Sequence, residues 1–271
     1  KSYKGCRMSD QVLSIIITFL GSSINSISQA VQKIGLDTLR LNKYKGRAIW
    51  IFGTCLMAAT PFIFMYATSL GGVSLVGAMS GTGLAALILF SHFVMKEKIT
   101  ANELAGVVLI LGASVLLGVF SRGEAVKSVI NLLSLYIYLA AVVTVYTVII
   151  ISFREGKITG SVLGGFAGSL AGFITLFQKV TTSNPLNAPS VFANPFLYTW
   201  LFIGAVSFII LQFSYTKGRA IRIIPFFAAN SIVIPVIGGV VCFKESLNFF
   251  QWLGVFLIVI GVYVKKSGNK L

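Results

Sequence analysis

The chain has 271 residues, of which 56% are hydrophobic and 11% are charged, and its mean hydropathy is +0.91. This balance excludes an ordinary soluble domain and indicates a protein that spans a membrane. The net charge of +15 does not indicate a nucleic-acid partner, because the Lys and Arg residues lie in short gaps between apolar runs, where they orient a protein in the lipid bilayer. Three scattered cysteines are too few for a disulfide framework.

Nine apolar runs approach the length of about 17 to 25 residues that a helix needs to cross the hydrocarbon. In chain order they cover 11–32, 48–69, 71–95, 102–120, 129–153, 161–181, 196–216, 222–243 and 249–265. The first run is too polar in its second half to be a cleaved signal peptide. The chain begins at Lys1 rather than at a methionine, which leaves open whether its N-terminus is complete. We predict an all-α, polytopic membrane protein.

Two stretches of the chain repeat each other. KEKIT (96–100) precedes the fourth run and KESLN (244–248) precedes the ninth, and a shift of 148 residues superimposes Gly106 on Gly254. One linking run separates the two copies, so the second copy enters the membrane from the opposite side. Inverted-topology repeats are the usual architecture of secondary transporters. The predicted segments are an N-terminal tail (1–10), a first four-helix repeat (11–120), a linking helix (129–153), a second four-helix repeat (161–265) and a C-terminal tail (266–271).

The basic residues are distributed unequally between the two sides that this topology defines. Fifteen lie on one side: Lys33, Arg40, Lys43, Lys45, Arg47, Lys96, Lys98, Arg154, Lys157, Lys217, Arg219, Arg222, Lys265, Lys266 and Lys270. Seven lie on the other: Lys1, Lys4, Arg7, Arg122, Lys127, Lys179 and Lys244. Because the more basic loops stay in the cytoplasm, we expect an integral, multi-pass membrane protein with its N-terminus outside and its C-terminus in the cytoplasm.

The second half of the first run carries a polar stripe. Its members, Ser22, Asn25, Ser26, Gln29 and Lys33, recur at helical spacing and share one face. An amide side chain in lipid is costly unless it is partnered or hydrated. We therefore predict that this face lines a route for a solute. The alternative is a packing face whose side chains hydrogen-bond to a neighbouring helix.

The matching face of the sixth run carries Gly168, Gly172 and Thr175. Small residues allow helices to approach closely, so packing is the favoured interpretation for the two glycines. Ser169, beside this face, is not expected to take part in the solute route.

Further candidates lie in the third and eighth runs. Asn230 and Ser231 stand between Pro225 and Pro235, and a proline inside a membrane helix frees backbone carbonyls, although a plain kink is an equal alternative. The predicted substrate path consists of Ser22, Asn25, Ser26, Gln29, Ser80, Thr82, Thr175, Asn230 and Ser231.

The acidic residues all lie in gaps or at the ends of runs, so no carboxylate is placed at mid-membrane. A simple proton relay or a dehydrated cation cage would use one. The sequence has no P-loop, no HExxH motif and no metal-spaced Cys/His cluster. We expect neither an enzyme nor a cofactor, and these residues do not identify metal ligands.

With KEKIT and KESLN each placed before the last helix of a repeat, the chain resembles the drug/metabolite transporter superfamily, with EamA-like repeats. Within it the chain looks most like the NIPA-like magnesium transporter family, on the stretches LGSS (20–23), QKIGL (32–36) and QFSY (212–215). The resemblance implies transport of a small solute by alternating access, with Mg²⁺ or another divalent cation favoured. A small organic metabolite is the alternative cargo, and a scaffold without transport is the second alternative. Assembly into a homo-oligomer stays open.

Overall fold

The protein is described from a computed structural model that covers residues 3–39, 41–71, 76, 79–97, 99–120, 131–152, 160–183, 195–244 and 247–267. Across these residues it forms helices and turns without a strand. The helices are α1 (Tyr3–Leu39), α2 (Lys43–Gly71), α3 (Leu84–Phe93), α4 (Ala101–Phe120), α5 (Leu132–Ser152), α6 (Gly160–Ser183), α7 (Pro195–Tyr215), α8 (Ala220–Phe243) and α9 (Phe249–Ser267). The charged residues that lie outside the described part of the chain are Lys1, Arg40, Lys98, Arg122, Glu124, Lys127, Arg154, Glu155, Lys157, Glu245 and Lys270.

Seven of the described helices (α1, α2 and α4 to α8) are long and apolar enough to cross a membrane. Two shorter apolar segments, Ser80–Phe93 and Phe249–Val262, accompany them. The prediction of an all-α, polytopic membrane protein is confirmed. In the third predicted run a 3-10 turn, Ser80–Gly83, leads into α3. Its sequence is Ser-Gly-Thr-Gly, and these residue types have low helix propensity.

The chain divides into two compact units. Unit 1 comprises Lys1–Glu124, Arg219–Pro225 and Asn248–Leu271, and unit 2 comprises Ala125–Gly218 and Phe226–Leu247. Unit 1 thus includes α9 and the first turn of α8.

In unit 1, α1 packs along α2 through glycines. A Cβ atom placed on Gly35 would lie 2.6 Å from the backbone nitrogen of Trp50, closer than atoms can pack. Gly53 is similarly close to Gln32, whose Nε2 donates a hydrogen bond to the Gly53 carbonyl at 3.3 Å. Small residues at such contacts let two backbones approach, as in other membrane helix pairs.

The packing of α4 on α9, also in unit 1, is reciprocal. A Cβ on Gly254 would lie 2.8 Å from Leu117 Cγ and 3.3 Å from the carbonyl oxygen of Ala113. A Cβ on Gly261 would lie 2.8 Å from the carbonyl oxygen of Gly106. The shift of 148 residues that relates Gly106 to Gly254 also relates Ala113 to Gly261. Gly254 thus contacts Ala113, and the equivalents of these two residues, Gly106 and Gly261, contact each other. The two helices run antiparallel, as at a self-complementary two-fold interface.

The repeated motifs are named here turn A (96–100) and turn B (244–248), and the first residue of each has the same backbone conformation. Lys96 has φ 51° and Lys244 has φ 54°, and among the described non-glycine residues these alone have positive φ. This left-handed conformation is unfavourable for a residue with a side chain. It occurs at equivalent positions of the two repeated motifs.

Each turn ends in a capping box. In turn A the Thr100 backbone N–H donates to Glu103 Oε2 at 3.0 Å, and the Glu103 N–H donates to Thr100 Oγ1 at 3.3 Å. In turn B the Asn248 N–H donates to Gln251 Oε1 at 2.9 Å, and the Gln251 N–H donates to Asn248 Oδ1 at 2.9 Å. Both pairs supply acceptors to N–H groups that have no partner within the helix, so α4 and α9 begin at equivalent residues.

The core of unit 2 is aromatic and aliphatic. Phe173, Phe177 and Leu135 are fully buried there, beside Ile203 and Phe243. The glycine face of α6 meets α8, since a Cβ on Gly172 would lie 2.9 Å from Ile234 Cβ and one on Gly168 would overlap the Phe227 carbonyl. The packing interpretation of the two glycines is confirmed.

Candidate functional site

The structure brings the first and third predicted runs together at Ser22 and Thr82. Their hydroxyl oxygens are 3.0 Å apart, both side chains are buried, and Thr82 also donates to the Met79 carbonyl at 2.7 Å. The neighbouring Gly83 permits this approach, because a Cβ there would overlap the Ser22 carbonyl. Two of the predicted path residues therefore form a hydrogen-bonded contact between α1 and the 3-10 turn of unit 1.

The remaining polar residues of α1 differ in exposure. Ser26 and Gln29 are buried, whereas Asn25 is half-buried and its side chain has no hydrogen-bond partner among the described residues. Lys33 forms an ion pair with Asp37 at 2.5 Å. Ser80 is half-buried at the start of the 3-10 turn. Asn25 is therefore the amide side chain of the stripe that is not fully buried.

A second polar group lies in unit 2, around Asn230 of α8. Tyr146 of α5 donates its hydroxyl hydrogen to Asn230 Oδ1 at 3.0 Å, and Ser169 Oγ lies 3.3 Å from the same oxygen. Asn230 Nδ2 donates to the Phe226 carbonyl at 2.9 Å. Gly165 of α6 lies against this group, where a Cβ would be 3.0 Å from the Tyr146 hydroxyl.

Sequence reasoning missed two members of this group, Tyr146 and Ser169. Ser169, which was not expected to take part in the solute route, is fully buried, and its hydroxyl oxygen lies 3.3 Å from Asn230 Oδ1. A signal for Tyr146 existed: a tyrosine in mid-span has a hydroxyl that must find a partner in lipid.

Two other predicted residues do not join the group. The Ser231 hydroxyl donates to the Ala228 carbonyl of its own helix at 2.9 Å. Thr175 is half-buried on α6 and makes no hydrogen bond to a described side chain.

Unit 1 also contains an ion-pair network that the sequence did not predict. Glu103, in the first turn of α4, is almost completely buried, and its Oε1 accepts a hydrogen bond from Arg222 Nε at 2.8 Å. Arg219 Nη1 lies 3.7 Å from the same oxygen. The two arginines offset the cost of burying the carboxylate.

Glu97 of turn A completes this network. Its Oε1 lies 3.9 Å from Arg219 Nε, and its Oε2 accepts a hydrogen bond from the Ile221 N–H at 3.4 Å, at the N-terminus of α8. Burial raises the pKa of Glu97, and Arg219 and the Ile221 N–H oppose that rise. Within the described part of the chain no three His, Cys, Asp or Glu residues are grouped closely enough to hold a metal ion.

Two similar proteins are named as transporters. "Probable magnesium transporter NIPA9" from Arabidopsis thaliana is 25% identical over 292 aligned residues, covering 95% of this chain and 83% of that protein. An "Uncharacterized transporter" from Clostridium kluyveri is 23% identical over 271 residues, covering 98% of this chain and 86% of that protein. No protein-family model and no solved structure matches the chain. The protein has the fold of a multi-pass membrane protein. Its alignments with these two proteins, both named as transporters, cover nearly the whole chain.

Proposed function

We propose that this protein moves a small solute across the membrane by alternating access between two inverted repeats, 11–120 and 161–265. The reciprocal, antiparallel contact of α4 with α9 is the observation that carries this proposal, because a duplication with inverted topology produces such a contact. Turns A and B support it, since the positive φ at Lys96 and Lys244 and the two capping boxes recur at the same shift.

Mg²⁺ is the first candidate solute. One relative is named as a magnesium transporter, and a Mg²⁺ ion that keeps most of its water could pass neutral polar groups such as those of Ser22, Asn25 and Thr82. A small organic metabolite is the second candidate. It is favoured by the absence of an acidic residue from the described hydrogen bonds around Asn230.

Transport and selectivity can be tested together in proteoliposomes. The purified protein is reconstituted, and entry of Mg²⁺ and of a panel of neutral and charged metabolites is measured against empty liposomes. Accumulation of one solute class supports transport. No flux for any solute would favour a membrane scaffold instead.

The role of α1 is tested with Asn25→Leu. If this face lines the route, uptake is abolished while the protein stays inserted and folded, because lipid tolerates an apolar residue. Ser23→Ala is the matched control, since the Ser23 hydroxyl bonds only to the Phe19 carbonyl of its own helix at 2.7 Å. Wild-type flux per folded Asn25→Leu molecule would exclude Asn25 from the route.

We further propose that the N-terminus lies outside and the C-terminus in the cytoplasm. The supporting observation is the excess of basic residues on one predicted side. Cysteines introduced at Leu41 and Ser267 should then resist an impermeant thiol reagent in intact cells and react after permeabilisation. Labelling of either position in intact cells contradicts the orientation.

A further inference from the structure

The hydrogen bonds of Asn230 fix which way its amide faces. The Phe226 carbonyl can only accept a hydrogen bond, so the atom 2.9 Å from it must be the amide nitrogen. The amide oxygen consequently faces Tyr146 and Ser169, as the distances of 3.0 Å and 3.3 Å show.

This arrangement uses the two ends of the amide unequally. The amide oxygen accepts a hydrogen bond from Tyr146 and can accept a second one from the Ser169 hydroxyl. The Ser169 hydroxyl can instead donate to the Gly165 carbonyl, which lies 3.0 Å from Ser169 Oγ. The nitrogen has two hydrogens, of which the Phe226 carbonyl takes one. No described residue accepts the second hydrogen, and Asn230 is half-exposed. The group can therefore still donate a hydrogen bond to a ligand.

No described hydrogen bond or ion pair joins a charged residue to Tyr146, Ser169 or Asn230. The described part of α5 has no charged residue. Binding an ion here would therefore need compensation that no charge described beside the amide supplies.

Resting on the proposed transport function, we infer that the Asn230 amide N–H binds a neutral organic solute through a carbonyl-type acceptor, and that Tyr146 is the positioning residue that holds the amide for it. A hydrated Mg²⁺ ion presents hydrogens outward and needs acceptors, preferably carboxylates. The Asn230 oxygen accepts from Tyr146 and otherwise faces the Ser169 hydroxyl, so we do not assign Asn230 as a magnesium ligand.

Binding can be tested without knowing the natural solute. Acetamide, the probe, carries one carbonyl acceptor and no charge. The thermal unfolding midpoint of the full chain in detergent is followed up to 100 mM acetamide, and separately with MgCl₂. Acetamide should raise the midpoint of the wild type in a saturable way, and MgCl₂ should produce no shift that depends on Asn230.

Two variants separate binding from folding. Asn230→Leu should abolish the acetamide shift. Tyr146→Phe should raise the half-saturating acetamide concentration about threefold to tenfold, the loss expected from one neutral hydrogen bond. A purely structural Tyr146 would change the midpoint without acetamide and leave half-saturation unchanged. Thr147→Val is the matched control, since the Thr147 hydroxyl bonds only to the Val143 carbonyl of its own helix.

The inference is overturned if acetamide gives no saturable shift, if that shift survives in Asn230→Leu, or if a MgCl₂ shift disappears in that variant. Failure of the transport proposal has a different signature. The acetamide shift and its dependence on Asn230 would persist while proteoliposomes show no flux of any solute.

Discussion

Turns A and B begin with the same backbone conformation and end in the same capping pattern, but the helices that follow them differ in chemistry. Both contain a lysine in the left-handed region and end in a reciprocal capping box. The capping acid that follows turn A, Glu103, is buried against Arg219 and Arg222. The equivalent residue that follows turn B is the neutral, half-buried Gln251. The two turns share the hydrogen-bond pattern that begins a helix, and they differ in charge.

The difference has a physical reason. A buried carboxylate is tolerated only with charged or hydrogen-bonding partners, and unit 1 supplies these from the first turn of α8. A glutamine satisfies the same cap without needing a cation. The capping acid Glu103 therefore depends on a distant segment for its charged partners, whereas the capping glutamine Gln251 needs no cation.

Exchanging the two capping residues should give the largest effect. Glu103→Gln keeps the cap but removes the charge, and we expect it to lower the free energy of unfolding by about 1.5 to 3 kcal/mol through loss of the bond to Arg222. Gln251→Glu should cost less than about 1 kcal/mol, because a half-exposed carboxylate at a helix N-terminus stays partly hydrated. SDS unfolding titrations in mixed micelles measure both.

A double-mutant cycle of Glu103→Gln with Arg222→Gln is the control for this comparison. A coupling energy near zero, or equal losses in the two exchanged variants, would contradict a functional pairing of Glu103 with Arg222.

Removing the caps should have a smaller effect that is similar in the two copies. Thr100→Ala and Asn248→Ala should each lower the free energy of unfolding by about 1 kcal/mol. The loss at Asn248 should be the larger, since its Nδ2 also donates to the Phe120 carbonyl at 3.3 Å. The same titrations check this, with Asn248→Ser as the control that retains a capping oxygen. An unchanged Asn248→Ala protein would show that the cap of α9 is dispensable.

Relieving the left-handed lysines should give a still smaller effect. Lys96→Gly and Lys244→Gly should each raise the free energy of unfolding by about 0.5 kcal/mol, because glycine adopts positive φ without a side-chain clash but has more freedom when unfolded. Lys→Ala at the same positions keeps the clash and should give no gain. A gain in one turn only would show that their backbones are not equivalent in solution.

The smallest expected effect is a pH dependence of turn A. Burial raises the pKa of Glu97 above its ordinary value of 4.5. The folded protein then holds this proton more tightly than the unfolded chain does, so the contribution of Glu97 is most favourable below pH 4.5 and is lost as pH rises through the raised pKa. The difference in unfolding free energy between wild type and Glu97→Gln, measured from pH 4 to 7, should follow this direction. The opposite slope would mean that Arg219 outweighs burial.

Much of the architecture could be predicted from local patterns. Hydropathy located the membrane helices, because apolar length alone decides what can cross a bilayer. The repeated motif located two equivalent helix starts, because capping depends on residues three apart. Hydropathy was less informative at 71–95, where residues of low helix propensity form a 3-10 turn at Ser80–Gly83.

The candidate site was predicted only in part. Ser22, Thr82 and Asn230 were identified because polar residues in apolar runs are conspicuous. Tyr146 and Ser169 were missed, because their importance depends on which helix faces Asn230. Periodicity describes one helix at a time and does not predict contacts between helices.

The sequence by itself determined the medium, the helices and the helix caps, since each depends on residues that are close along the chain. Tertiary structure alone decided that Arg222 meets Glu103 across 119 residues, that α4 and α9 contact each other reciprocally, and that Tyr146 orients Asn230. The physical reason is that apolar helices in lipid have similar hydropathy. Their partners are chosen by close backbone approach at glycines and by the pairing of a few polar groups.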